Sequence, residues 1–133
     1  MEIVITQWAL DSYLELKQRH VFTDEEYRTI IREDVLRLRV FPNDPKFKQS
    51  KFWSPANDQN GKIITGGYKM KWHNMGNGNV QLRLTVAMIN GECLLCEAYD
   101  KQSATQELRK LARFKTYLEL IRSGNYITRG KLI

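Results

Sequence analysis

Apolar residues recur along the chain with two different periods, and the change from one to the other organises it. Glu2 to Ile5 is a short β-prone run, followed by Thr6 where a helix cap is needed. A helix is predicted from about Gln7 to Arg19, with Trp8, Leu10, Tyr13 and Leu14 on one side and Asp11, Glu15 and Gln18 on the other. After the connector His20 to Phe22, Thr23-Asp24-Glu25-Glu26 forms a capping box that starts a second helix. Tyr27, Ile30, Ile31, Val35 and Leu38 hold the helical period until Pro42, which biases Phe41 toward an extended conformation. Two helices joined this tightly make a hairpin with one shared apolar face.

Between Asn43 and Gly67 the period is lost. Pro45, Pro55, Asn57, Asn60, Gly61, Gly66 and Gly67 punctuate a polar stretch that also holds Phe47, Phe52 and Trp53, which predicts a long connection over about 43–67. Beyond Gly67 the period is two. Tyr68, Met70 and Trp72 alternate with Lys69, Lys71 and His73, and the Asn- and Gly-rich run 74–79 supplies a turn. Val80, Leu82, Leu84, Val86 and Met88 then alternate with Gln81, Arg83, Thr85 and Ala87 up to Asn90-Gly91, a type I′ hairpin signal. Glu92 to Tyr99 is a third strand, with Leu94, Cys96 and Ala98 opposite Leu95, Glu97 and Tyr99. Ser103 to Arg122 is predicted to be a final helix with Leu108, Leu111, Leu118 and Ile121 in its apolar stripe, and Gly124 stands beyond its end as a C-cap. The expectation is one α+β domain over 1–133, ordered β-α-α-β-β-β-α. Its antiparallel sheet packs on the helical hairpin, and the C-terminal helix lies at about 103–122.

Charge sharpens this division. The chain carries 21 Lys and Arg against 15 Asp and Glu, net +6. Residues 1–66 hold 10 of each sign, whereas residues 67–133 hold 11 basic and 5 acidic side chains, so the whole excess lies with the meander and the last helix. A basic excess on one part of a small domain favours a polyanionic partner. A hydrophobic fraction of 42% with 27% charged residues is that of a folded domain rather than a disordered tail. No apolar run reaches the roughly 18 residues of a membrane span, and Met1 to Leu10 has no basic leader, so a cytoplasmic protein with no membrane partner is expected. Cys93 and Cys96 are too few for a disulfide framework and suit a reducing compartment; three apart on a strand, they point to opposite faces, so no metal site is expected from them.

The strand alternation gathers Lys69, Lys71, His73, Gln81, Arg83, Thr85, Glu97 and Tyr99 on the face opposite the helical hairpin. Cations beside proton carriers suit phosphate chemistry, although the solvent side of any half-buried sheet is also polar. The run Gly67-Tyr68-Lys69-Met70-Lys71-Trp72, the run Val80 to Glu92 with Arg83 near its start, and Leu94 to Lys101 ending in Tyr99-Asp100-Lys101 together resemble the sheet of the RelE/ParE toxin superfamily, including its RelE and HigB branches. The resemblance implies a RelE-like, microbial RNase-like fold. It also implies a toxin of a toxin-antitoxin system, a metal-independent and cofactor-free endoribonuclease that cuts mRNA on the ribosome and is restrained by a cognate antitoxin protein.

In-line attack of a ribose 2′-hydroxyl needs a proton acceptor, stabilisation of a pentacovalent anion, and a proton donor to the leaving oxygen. By the resemblance Lys69 and Lys71 match catalytic or RNA-binding lysines, and Arg83 matches the arginine that clamps the phosphate. RelE itself has an arginine where this chain has Gln102, and a tyrosine early in the next helix where this chain has Gln106, Glu107 and Leu108. His73 and Tyr99 are therefore assigned to proton transfer. Lys46, Lys48 and Lys51 interleave with Phe47, Phe52 and Trp53 in a pattern that suits RNA binding, and the same rings also suit plugging the edge of a small core. Gln81, Lys101, Arg109 and Arg113 complete the expected RNA contacts. The alternative is a noncatalytic module of the same superfamily that binds a protein, as ParE-like members bind gyrase.

Overall fold

The computed structural model describes residues 1–133 as three helical segments and a six-stranded sheet. Strand β1 (Glu2–Thr6) passes directly into helix α1 (Gln7–Gln18) because Thr6 serves both elements. Its hydroxyl accepts from the Ala9 N–H at 3.2 Å and donates to the Leu95 carbonyl at 2.7 Å. The second helix, α2, covers residues 24–40 without a break. It runs as Asp24–Glu26, a π turn at Tyr27–Ile31, Arg32–Leu36 and a 3₁₀ turn at Arg37–Val40. Its start is the expected capping box, with Thr23 and Glu26 bonding each other's backbone at 2.8 and 3.0 Å.

The sheet contains β2 (Trp53–Asn57), β3 (Ile63–Met75), β4 (Val80–Ile89), β5 (Glu92–Asp100) and β6 (Thr128–Lys131) besides β1. Their spatial order is β2-β3-β4-β5-β1-β6. The predicted meander β3-β4-β5 is its centre, and Asn90 and Gly91 both take positive φ, as a type I′ turn requires.

Four expectations change. The stretch 43–67 is not a bare connection: it holds a 3₁₀ turn at Pro45–Lys48, then β2 and the start of β3. Trp53 in β2 stacks on Tyr68 at 5.0 Å, so the aromatic residues among the lysines close the core's edge. The sheet is mixed rather than antiparallel, because β1 runs parallel to β5, and the tail adds β6 against β1. Between them β2 and β6 cover both edges of the predicted sheet.

Finally, both faces of the sheet are covered. Met70, Trp72, Leu82, Leu84 and Val86 pack toward the hairpin with Leu16, Ile31, Val35 and Leu38. On the other face Ala56, Ile64, Ala87, Leu94 and Cys96 pack against Leu111, Phe114, Leu118 and Ile121 of α3 (Ala104–Arg122). Cys93 and Cys96 thus belong to opposite cores.

Helix α3 approaches closely because Gly67 has no side chain. A Cβ there would lie 2.8 Å from the Phe114 ring. Beyond the helix end, Gly124 takes positive φ, and the N–H groups of Gly124 and Asn125 bond the Ile121 and Leu120 carbonyls in a Schellman arrangement. Individual stripe residues also differ from expectation. Leu14, Ile30 and Leu108 are exposed, whereas Trp8 reaches the opposite face and stacks on Tyr117 at 3.9 Å. No helix is long and apolar enough to cross a membrane.

Candidate functional site

The α3-facing side of the sheet has an apolar end, covered by the C-terminal part of α3, and a charged end beside its first turns. Cross-strand register builds the charged end. Lys71 pairs with Arg83 and Arg83 with Tyr99, while Lys69 pairs with Thr85 and Thr85 with Glu97. Strict alternation cannot place Leu94 and Cys96 on the same side as Glu97 and Tyr99, yet all four face α3. The reason is a β-bulge: the register shifts between Thr85 and Val86, which pair with Glu97 and Leu95. The Thr85 hydroxyl holds it, accepting from the Glu97 N–H at 3.1 Å and donating to the Glu97 carbonyl at 3.2 Å. Thr85 is therefore structural.

Glu107, in the first turn of α3, is the residue around which the cluster closes. Its carboxylate accepts from the Tyr99 hydroxyl at 2.9 Å. It lies 3.5 Å from Lys69, 3.8 Å from Lys101 and 3.9 Å from Arg83. Lys71 adds a fourth cation on the same face and donates to the Ser50 carbonyl at 2.6 Å. Three cations surround one carboxylate and a fourth stands beside them, leaving local positive charge in excess. Arg83 is 6% exposed and Tyr99 2% exposed, so both lie beneath Glu107, with Lys69 and Lys101 nearer solvent. The Arg83 guanidinium also donates to the Leu82 and Trp72 carbonyls at 3.1 and 3.4 Å.

This environment moves proton affinities in opposite directions. Burial lowers the Lys71 pKa, and the like charges of Lys69 and Arg83 lower it further. Burial raises the Tyr99 pKa strongly, and Glu107 adds to the rise by its charge and its hydrogen bond. For Glu107 burial acts upward, but Lys69, the Tyr99 hydroxyl, Lys101 and Arg83 outweigh it and hold the carboxyl below its ordinary value. Asp100, paired bidentately with Arg19 at 2.8 and 3.1 Å, is likewise held down against its burial.

A carboxyl with a lower pKa in the folded than in the unfolded state contributes stability that is complete above about pH 4.5 and is lost as pH falls through the folded value. The urea midpoint is therefore expected to fall from about pH 5 to about pH 3, and to fall less in Glu107→Gln. A wild-type midpoint that stays flat over that window would contradict these pairings.

The other sequence-predicted residues are scattered. His73 lies outside the cluster, exposed, with its Nδ1 against Gln81 and its Nε2 2.8 Å from the Lys51 carbonyl. That carbonyl can only accept, so Nε2 carries a proton. Lys46 lies on the hairpin side, 2.7 Å from Asp34 and over the Phe52 ring. Lys48 and Lys51 are exposed nearby. On α3, Arg109 is exposed, whereas Arg113 and Lys110 pair with Glu97 at 3.1 and 3.0 Å. Only Lys101 of the expected RNA-binding set joins Lys69, Lys71, Arg83 and Tyr99.

Sequence reasoning missed Glu107. Its signal was its place among only five acids in the basic half, at the helix turn that follows Tyr99-Asp100-Lys101. No protein-family model matches this chain, and no curated protein matches it.

Proposed function

We propose that this protein is a RelE/HigB-like toxin, a ribosome-dependent mRNA endonuclease whose RNA site is the charged end of the sheet. The observation that carries this reading is the convergence of Lys69, Arg83 and Lys101 on a single carboxylate, with Lys71 on the same face and a neutral buried phenol beside them. Glu107 occupies a position in which cations converge on an anion. A phosphate has the same complementarity and more acceptor oxygens.

Phosphate first meets Lys69, Lys71 and Lys101. Reaching Arg83 and Tyr99 requires the Glu107 carboxylate to move aside, because both are buried beneath it. In the reaction the 2′-oxygen bonds to phosphorus as the bond to the 5′-oxygen breaks, giving a cyclic phosphate and a free 5′-hydroxyl. Lys71, with its lowered proton affinity, accepts the 2′-hydroxyl proton in its neutral form. Arg83 and Lys69 stabilise the phosphorane charge. Tyr99, kept protonated by burial, donates to the leaving oxygen. His73 binds the RNA backbone at the rim.

The burial of Arg83 and Tyr99 favours a second reading, a noncatalytic module of the same superfamily that acts on a protein such as gyrase. Purified protein mixed with mRNA decides between them. Cuts that appear only with ribosomes are the expected outcome. Growth arrest in cells whose mRNA stays intact would favour the second reading.

A further inference from the structure

A cavity of about 190 Å³ lies between the helical hairpin and the sheet, on the opposite side from the charged cluster. Its walls include Ala9 and Tyr13 of α1, Tyr27 and Ile31 of α2, and Leu84 and Leu95 of the sheet. Fifteen of its sixteen lining residues are hydrophobic. Protein cores are close-packed, and voids larger than a water molecule are few. This one is partly open to solvent, which gives a ligand a way in, and an apolar cavity of about 150 Å³ accepts benzene.

Three further observations point to a ligand rather than a packing fault. First, the wall of α2 includes its π turn: Tyr27 and Ile31 bound that turn and line the cavity, and the Arg32 N–H bonds the Tyr27 carbonyl. π turns occur mostly as single-turn insertions, frequently at functional sites. Second, the rings of Tyr13, Phe22 and Tyr27 meet one another at 5.0 to 6.1 Å around the same space, offering aromatic faces and edges. Third, the single charged wall residue, Arg32, already donates to the Ile133 carbonyl at 2.7 Å. That donor is thus engaged by an acceptor of the chain itself, and the rest of the lining is uncharged.

We propose that this cavity is a binding site for a compact, neutral, mostly hydrocarbon aromatic molecule of indole or alkylbenzene size. The proposal is independent of the RNA reading, because the two sites lie on opposite faces of the sheet.

The test uses the full chain titrated with indole, toluene and benzoate, followed by calorimetry and by methyl NMR. Indole and toluene are expected to bind saturably with Kd below about 1 mM, to shift the Ile31, Leu84 and Leu95 methyl signals, and to raise the melting temperature. Benzoate, which would bury a charge, is expected to bind at least about tenfold more weakly. Ala9→Leu and Ala98→Leu fill the cavity from opposite walls, and each should weaken indole binding about tenfold or more. The proposal is overturned if neither neutral probe saturates, if the shifted methyls lie outside the cavity, if benzoate binds as tightly as toluene, or if a folded filling variant binds indole like wild type. Should both variants fail to fold, the wild-type methyl shifts decide.

Discussion

Replacing Lys69, Lys71 and Lys101 together by Gln is expected to weaken binding of a short single-stranded RNA by ~100-fold at 0.1 M salt. Each cation that neutralises a phosphate on a single strand contributes roughly 0.7 to the slope of log affinity against log salt. Three such contacts removed lower the slope by about two, and that loss, read from 1 M down to 0.1 M, gives about two orders of magnitude. Fluorescence anisotropy across a salt series measures both quantities at once. Lys46→Gln serves as the matched control: it is a lysine of the same predicted RNA-binding set, but it is held by Asp34 on the other side of the sheet. Its slope should stay near wild type. If Lys46→Gln loses about a third of the slope that the triple variant loses, binding is spread over the basic surface and not focused on the cluster.

The largest effect on stability is expected at Asp34, far from that cluster. It is 3% exposed and joins three segments. One carboxylate oxygen accepts from Arg37 at 2.9 Å and Lys46 at 2.7 Å, and the other accepts from the Trp72 indole at 2.9 Å. Asp34 therefore ties α2 to the 3₁₀ turn at Pro45–Lys48 and to β3. Asp34→Ala strands the buried Trp72 indole N–H, while Lys46 and Arg37 lose their partner but are exposed enough to keep water, at a cost of about 2–3 kcal/mol. Asp34→Asn keeps an acceptor for Trp72 and loses the ionic part, so it should fall between the two. Urea unfolding measures both. A loss below about 1 kcal/mol in Asp34→Ala would mean that water replaces the carboxylate and that the network is not a structural tie.

The elements legible in the sequence were those with local causes. The capping box at Thr23–Glu26, the alternation of β3 and β4, the Asn90-Gly91 turn and the Gly124 cap each depend on neighbouring residues. Strand β2 was hidden because its five residues, Trp53 to Asn57, include a proline and carry no long alternation. Its existence depends on pairing with β3 and on Trp53 stacking over Tyr68. The mixed sheet was hidden for a similar reason: whether β1 lies parallel to β5 depends on a long-range choice that no local pattern encodes.

The site divides in the same way. Lys69, Lys71, Arg83 and Tyr99 share a face by period two and direct register, whereas Leu94 and Cys96 join that face through a bulge in β5 that alternation does not reveal. Glu107 enters only because α3 folds over the sheet, with Gly67 admitting Phe114 at the middle of the helix. His73 shows the limit of periodicity. Register shifts between Trp72 and Met75, and the histidine turns to Gln81 and the Lys51 carbonyl.

The most direct test of the proposed function is primer extension on ribosome-bound mRNA after incubation with wild-type protein and with Lys71→Gln. The account predicts discrete cuts with wild-type protein that require ribosomes. In Lys71→Gln, whose circular dichroism should match wild type, the rate should fall at least about 100-fold, the scale of a lost proton acceptor. Cuts at the wild-type rate from folded Lys71→Gln, or intact mRNA with the wild-type protein, would contradict it.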